Sequence, residues 1–337
     1  MEYFRIKSLN MDVSRICMGG SSPKSNYLKE SHSIDAFIET LHKAYSLGVN
    51  FFDSSENYGG GDAETLLGNT AKDFRDQVVL TSKAAWENAE PKDLRVACEK
   101  SLKRLQTEYI DIYYLHYPNP WVPIGQTMET LMQLKEEGKI RAIGLSNFSL
   151  SQLQSACQYG EVSILQQCYS LLWRSYAERH LFPFCVEKGI KVVTYGPLAS
   201  GLLSGKFDKE TKFTKEDQRA RTSEEDGLVP FLPRWWKQSI ETVDKFKDVE
   251  RPQGISLAQM AIHWALRQQA VDAVIVGGTT IEAITENIES INVQCSAKSL
   301  EQLDALSMMY TSAIPEYVNY YLRMKKHITT EFVDGNI

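Results

Sequence analysis

Seven short apolar or β-branched segments of this chain each end on a polar residue or a glycine, with amphipathic stretches between them. VNFFD ends at Asp53, QVVLTSK at Lys83, IDIYYLH at His116, IRAIGLS at Ser146, VSILQ at Gln166, IKVVTY at Tyr195 and DAVIVG at Gly277. Helical patterns lie at 33–47, 92–105, 127–137 and 257–267, and Gly48, Gly138 and Gly189 stand where helices commonly stop. Strand followed by helix, repeated, implies parallel strands joined by helical crossovers. Counting ICMGG near Cys17, there are eight strands. That number favours a closed (β/α)8 TIM barrel over an open doubly wound sheet, and no GxGxxG follows the first strand. Residues 5–16 read as a hairpin covering the bottom of the barrel. The barrel is expected over about 5–292, with a C-terminal helix and tail at 293–337, as one domain spanning 1–337.

Composition narrows the class. The 337 residues are 43% hydrophobic and 24% charged, which excludes a disordered or collagen-like chain. A net charge of −6 without a basic stripe argues against a nucleic-acid partner. No apolar run is long enough for a membrane span, and no export signal opens the chain, so a cytoplasmic setting is expected. Six cysteines without CxxC spacing read as reduced thiols, and six histidines without HxxxH predict no metal site.

The spacing of the polar strand ends carries the functional reading. From Asp53 through Lys83, His116, Ser146, Gln166 and Tyr195 the steps are 30, 33, 30, 20 and 29 residues, each about one βα unit. In a barrel those ends meet on one face, where the active sites of the fold lie. Asp53, Lys83 and His116, with Tyr58 in the following ENYGGG turn, make a proton-transfer set. An ammonium beside a phenol favours the phenolate, and a carboxylate holds the ammonium in place. Such a tyrosine can protonate a carbonyl oxygen or deprotonate an alcohol near neutral pH. The histidine can orient the same oxygen. Such a set still needs a hydride or a nucleophile, and no Ser–His or Cys–His nucleophile pair accompanies it, so a cofactor should supply it.

These segments resemble the aldo-keto reductase family. DSSENYGGGDAETLLG is similar to the stretch carrying its catalytic Asp and Tyr, TSKAAW to the lysine strand, and YYLHYPNP to the histidine strand. GKIRAIGLSNFS, LQQCYSLLWR, VVTYGPLASGLLSGKF and VIVGGTTIEAITENI resemble the later cofactor segments, and the likeness is greatest to the bacterial branch associated with inositol and sugar metabolism. The resemblance implies a barrel that reduces carbonyls with NADP(H) or NAD(H). By position it assigns the nicotinamide carboxamide to Ser146, Asn147 and Gln166, and ring stacking to Tyr195. It assigns the pyrophosphate to the turn of Gly196, Leu198, Ser200 and Gly201, with Lys206 and Arg219, and the adenosine end to Gly277, Thr279, Glu286 and Asn287. Trp86, Trp121 and Trp235 are the aromatic candidates for the substrate pocket, and the segment 204–239 is long enough to fold over the cofactor.

Three positions depart from the family pattern. Gly196 replaces a common serine and Asn119 a frequent aspartate. Gly278, Thr279, Thr280 and Ala283 stand where Lys or Arg is frequent, which predicts weak NADP preference or NAD use. The expected activity is interconversion of a small aldehyde or ketone, a sugar or polyol among the options, and its alcohol. Two alternatives stay open on sequence: a Schiff-base aldolase using Lys83, and a cofactor-binding regulatory subunit.

Overall fold

The computed structural model describes residues 1–20, 34–223, 227–278 and 280–316. Its centre is a closed barrel of eight parallel strands: β3 (Ile16–Gly19), β4 (Phe51–Asp53), β5 (Val79–Ala84), β6 (Ile110–Leu115), β7 (Ile140–Ser146), β8 (Ile164–Cys168), β9 (Lys191–Tyr195) and β10 (Ala273–Val276). β10 pairs with β3 through Val274–Ile16 and closes the cylinder. These are the eight strands read from the sequence. The expected hairpin is also present as antiparallel β1 (Tyr3–Arg5) and β2 (Asp12–Ser14).

Side-chain alternation explains why a strand of mostly apolar residues delivers one polar group to the mouth. Phe51, Val79, Ile112, Ala142, Ile164 and Val193 fill the barrel interior, and the hairpin region adds Ile6, Leu9 and Val13 to the same apolar cluster. Two positions further along each strand the inward face brings Asp53, Thr81, Tyr114, Gly144, Gln166 and Tyr195. Lys83 and Ser146 follow on β5 and β7. Tyr114 fits because its register partner is glycine: a Cβ on Gly144 would stand 2.3 Å from the Tyr114 ring. The barrel is therefore apolar at its hairpin end and polar at its mouth.

Helices α1 (Ile34–Ser46), α2 (Asp62–Ala71), α3 (Pro91–Leu105), α4 (Ile124–Glu136), α5 (Leu150–Ala156) and α6 (Phe182–Lys188) form the outer layer. α7 (Pro233–Lys247), α8 (Leu257–Leu266) and α9 (Ile281–Glu289) continue it, and α10 (Ala297–Thr311) is the expected C-terminal helix. Gly48, Gly138 and Gly189 adopt positive φ just past α1, α4 and α6. Capping boxes start α5 at Ser149 and α8 at Ser256. Among the described residues, no helix is long and apolar enough to cross a membrane.

Candidate active site

The mouth of the barrel opens into a cleft of about 880 Å³ lined by residues from many of the βα loops. At its floor lies a buried ion pair: the Lys83 ammonium donates to Asp53 Oδ2 at 2.5 Å, with Lys83 fully buried and Asp53 3% exposed. An ammonium has three hydrogens. The Lys83 ammonium also donates to the Ser54 carbonyl at 2.8 Å and the Tyr58 hydroxyl at 3.5 Å. The other carboxylate oxygen, Oδ1, accepts from Thr81 Oγ1 at 2.8 Å and from Gln166 Nε2 at 3.0 Å. Beneath the pair, burial and then the negative charge of Asp53 hold the Cys17 thiol and the Tyr114 phenol well above their ordinary values, so both stay neutral.

Tyr58 reaches this floor from the loop after β4, and the loop is tied to β5. The Glu56 carboxylate accepts from the Ala85 N–H at 2.6 Å and from Asn88 Nδ2 at 2.8 Å. Ser54 N–H donates to the Thr81 carbonyl. The next three residues, Gly59, Gly60 and Gly61, have φ of 61°, 67° and 99°, a left-handed run that side-chain-bearing residues resist. The chain can therefore turn straight from Tyr58 into α2. The His116 ring meets Tyr58 edge-on at 5.7 Å, and its Nδ1 lies 3.1 Å from Ser55 Oγ.

A second polar group lines the neighbouring wall. Asn147, just past β7, adopts φ of 65° and donates from Nδ2 to the His116 carbonyl and to Ser146 Oγ, each at 3.0 Å. Its Oδ1 accepts from the Tyr195 hydroxyl at 2.7 Å. Ser146, Asn147, Gln166 and Tyr195 all line the cleft. After β9 the chain makes a tight left-handed turn through Gly196, Ala199, Ser200 and Gly201, with φ of 70°, 46°, 55° and 88°. Gly196, Leu198, Ser200 and Gly201 line the cleft, as do Gly277 and Asn287, whose Nδ2 donates to the Gly277 carbonyl at 2.7 Å. Open space lies beyond Gly277, where an added Cβ would meet nothing within 4 Å. A cleft lined both by the turn at 196–201 and by a phenol beside a buried ion pair suits a dinucleotide with a small carbonyl compound beside it.

Several residues singled out on sequence lie elsewhere. Trp235 does not line the cleft: it sits in the first turn of α7, partly buried against the main core. FLPRWW straddles the end of a loop and the start of that helix, so its aromatics divide between the two. Trp121 is 64% exposed and leans on Trp86 at 5.6 Å, and of the two only Trp86 reaches the cleft. Lys206 is exposed, with its amine 5.3 Å from the Phe207 ring centre. Arg219 is paired with Asp217 at 2.5 Å, packed against Phe207 and Phe213, and donates to the Ser200 carbonyl at 3.4 Å. Arg221, two residues on, lines the cleft instead. Glu286 is exposed and accepts from the Ser256 hydroxyl. Thr279 and the tail beyond Glu316 lie outside the described residues.

Sequence reasoning missed Ser55, Thr81, Arg221 and Tyr117, which lines the cleft and stacks on His116 at 5.1 Å. Thr81 was within reach of the strand alternation, two residues before Lys83. Arg221 had no such signal, because irregular backbone carries no period.

The comparisons agree with this geometry. The family model described as "Aldo/keto reductase family" matches residues 15–308. The aldo-keto reductase YhdN of Bacillus subtilis (strain 168) is 32% identical over 305 residues, covering 85% of this chain and 88% of that protein. The NADH-specific methylglyoxal reductase of Escherichia coli (strain K12) is 31% identical over 281 residues, covering 77% and 83%. Among solved structures, an aldo/keto reductase of Klebsiella pneumoniae in complex with NADP and acetate superposes with a TM-score of 0.69 at 27% identity, over 92% of this chain and 95% of that one. With the match spanning the barrel from its first strand into α10, the chain belongs to the aldo/keto reductase family.

Proposed function

We propose that the chain is an NAD(P)-dependent oxidoreductase that interconverts a small aldehyde or ketone and its alcohol. The observation that carries this reading is the Lys83 ammonium, buried and directed at once to Asp53, Ser54 and Tyr58. The positive charge favours the phenolate, so Tyr58 releases its proton more readily to a carbonyl oxygen than an ordinary phenol would. Asp53 and the Ser54 carbonyl fix the position of the ammonium beside the phenol. His116, held by Ser55 and packed edge-on against Tyr58, directs the carbonyl oxygen toward the phenol.

The residues of the cleft fit a nicotinamide dinucleotide. Ser146, Asn147 and Gln166 would hold the carboxamide, Tyr195 would support the ring, and the turn at 196–201 would hold the pyrophosphate through N–H groups other than those of Ala199 and Gly201, which donate to the Gly196 and Leu198 carbonyls. When bound in reduced form, that cofactor supplies the hydride that the carbonyl carbon receives. One relative is named for NADH and methylglyoxal, and one related structure contains NADP, which supports both the cofactor class and a small carbonyl substrate.

A Schiff base on Lys83 is the weaker reading. Its nitrogen is fully buried and its hydrogens are directed to three acceptors, so no lone pair is available for carbonyl attack. Tyr58→Phe is the direct test: turnover should fall about 10²–10⁴-fold while cofactor binding is retained. Unchanged turnover removes Tyr58 from its role. Borohydride trapping of a substrate adduct on Lys83 would favour the aldolase, and tight cofactor binding without any turnover would favour a regulatory subunit.

A further inference from the structure

Thr81 is fully buried on the inward face of β5, between Val79 of the apolar barrel layer and Lys83 at the mouth. It is the register partner of Asp53 on β4. Its hydroxyl donates to Asp53 Oδ1 at 2.8 Å, and its carbonyl accepts from the Ser54 N–H at 3.1 Å. Thr81 thus addresses both residues that hold the lysine: Asp53 through its side chain and Ser54 through its backbone.

The consequence follows from counting donors and acceptors. Asp53 Oδ2 takes one hydrogen of Lys83, while Oδ1 is occupied by Thr81 and Gln166. So long as Oδ1 is occupied, the carboxylate presents a single oxygen to the ammonium. The remaining hydrogens of Lys83 are then directed to Ser54 and Tyr58. Without the Thr81 hydroxyl, Oδ1 would keep one partner in a buried setting, where an under-bonded carboxylate oxygen is costly. The carboxylate would turn to offer both oxygens to Lys83, and the hydrogen aimed at Tyr58 would be drawn to Asp53.

We propose that Thr81 is a positioning residue of the proton-transfer site, whose hydroxyl limits Asp53 to one contact with Lys83 and so keeps the ammonium aimed at the Tyr58 phenol. This rests on the function proposed above and adds to it a residue that touches neither carbonyl compound nor cofactor.

Thr81→Val removes the hydroxyl and keeps the branched shape. In the reducing direction kcat should fall about tenfold, the loss expected for one hydrogen bond to a charged group, with KM nearly unchanged. The alkaline limb of the kcat profile should move to higher pH, because a phenol farther from the ammonium is a weaker acid. A second readout uses the cofactor-free chain: the ultraviolet phenolate titration of Thr81→Val, with Tyr58→Phe subtracted, should shift upward in the same way. Thr81→Ser keeps the hydroxyl and should restore both. If valine prevents folding, Thr81→Ala removes the same group and should give the same shifts. An alkaline limb and a phenolate titration that stay at their wild-type positions, or that serine fails to restore, overturn the proposal even if stability drops. If Tyr58→Phe abolishes turnover in parallel, only the role of Thr81 is lost; if Tyr58→Phe turns over normally, the underlying reading of the site fails as well.

Discussion

Ser82 donates its hydroxyl to the Glu64 carboxylate at 2.5 Å, and this bond joins the residue preceding Lys83 to the first turn of the helix that follows Tyr58. Glu64 is fully buried, and Arg104 of α3 supplies the balancing charge at 2.5 Å. The left-handed Gly61 lies against the same guanidinium, where an added Cβ would stand 2.6 Å from Arg104 Cδ. The segments that carry Tyr58 and Lys83 therefore share one buried polar support outside the barrel.

Arg104→Ala tests that support through stability. It strands a buried carboxylate with a single neutral donor, a change that typically costs about 3–5 kcal/mol. The low end is expected, because the Arg104 side chain is 24% exposed and water can reach part of the gap. Glu64→Gln in the Arg104→Ala background should recover part of the loss, since an amide leaves no bare charge. Denaturant midpoints for the three chains check this, and equal stability of single and double variants would refute it.

The strand ends were legible in the sequence because two periods coincide there. Alternation along a strand sets which face a residue uses, and the βα repeat sets how far apart the ends fall. Asp53, Lys83, Ser146, Gln166 and Tyr195 satisfy both, and all sit at the mouth. Loop residues obey neither period. Trp235 and Arg219 were singled out by residue type and likeness alone; a helix start turned the first into the core, and Asp217 took the second. The dependence of Asp53 on Thr81 was hidden for another reason. A threonine in a buried strand satisfies β propensity whether or not its hydroxyl has a task.

Asn147 combines a left-handed backbone with bonds to three neighbours, so its two contributions can be separated. Asn147→Gly relieves the conformational demand but loses the side-chain bonds to His116, Ser146 and Tyr195. Asn147→Ala loses the bonds and keeps the strain, which costs roughly 1 kcal/mol more in stability. Both variants should weaken cofactor binding by about tenfold, the scale of one or two hydrogen bonds. Fluorescence titration and thermal unfolding check the two effects, and cofactor affinity equal to wild type in Asn147→Gly would remove the amide from the binding wall.

His263 gives stability a dependence on acid that is separate from the site. It lies 8% exposed at the end of α8, with Nδ1 3.1 Å from the Ser290 carbonyl. Burial holds its pKa below the usual histidine range, against the opposing pull of the Ser290 carbonyl; Arg267 lowers it further and Glu2 raises it. The unfolded chain therefore takes up the proton first. Stability from this group is complete above the unfolded value of about 6.5 and is lost as pH falls from there toward the lower folded value. The melting temperature should drop as pH falls below about 6.5, and His263→Gln should flatten that drop. Parallel curves for the two chains would show that His263 does not contribute.

Cofactor choice should be decided at the start of α9. There the Thr280 hydroxyl accepts from the Ala283 N–H at 3.2 Å, and Glu282 adds a carboxylate to the first turn. Its own N–H and the Thr280 hydroxyl hold that carboxyl below the usual range, so it is charged at neutral pH. Gly278, Thr280 and Ala283 offer no cation to a 2′-phosphate, and a second anion beside Glu282 is repelled. NADH and NADPH should therefore bind within about tenfold of each other, because the charge-assisted bonds that give NADP specificity contribute about 1.5–3 kcal/mol each and Gly278, Thr280 and Ala283 supply none. Glu282→Arg should tighten NADPH about tenfold or more and leave NADH nearly unchanged. Arg221→Ala serves as the control: a loss shared by both cofactors assigns it to the pyrophosphate, and a loss confined to NADPH assigns it to the 2′-phosphate. Wild-type protein that binds NADPH a hundredfold more tightly than NADH would end the case for a missing phosphate site.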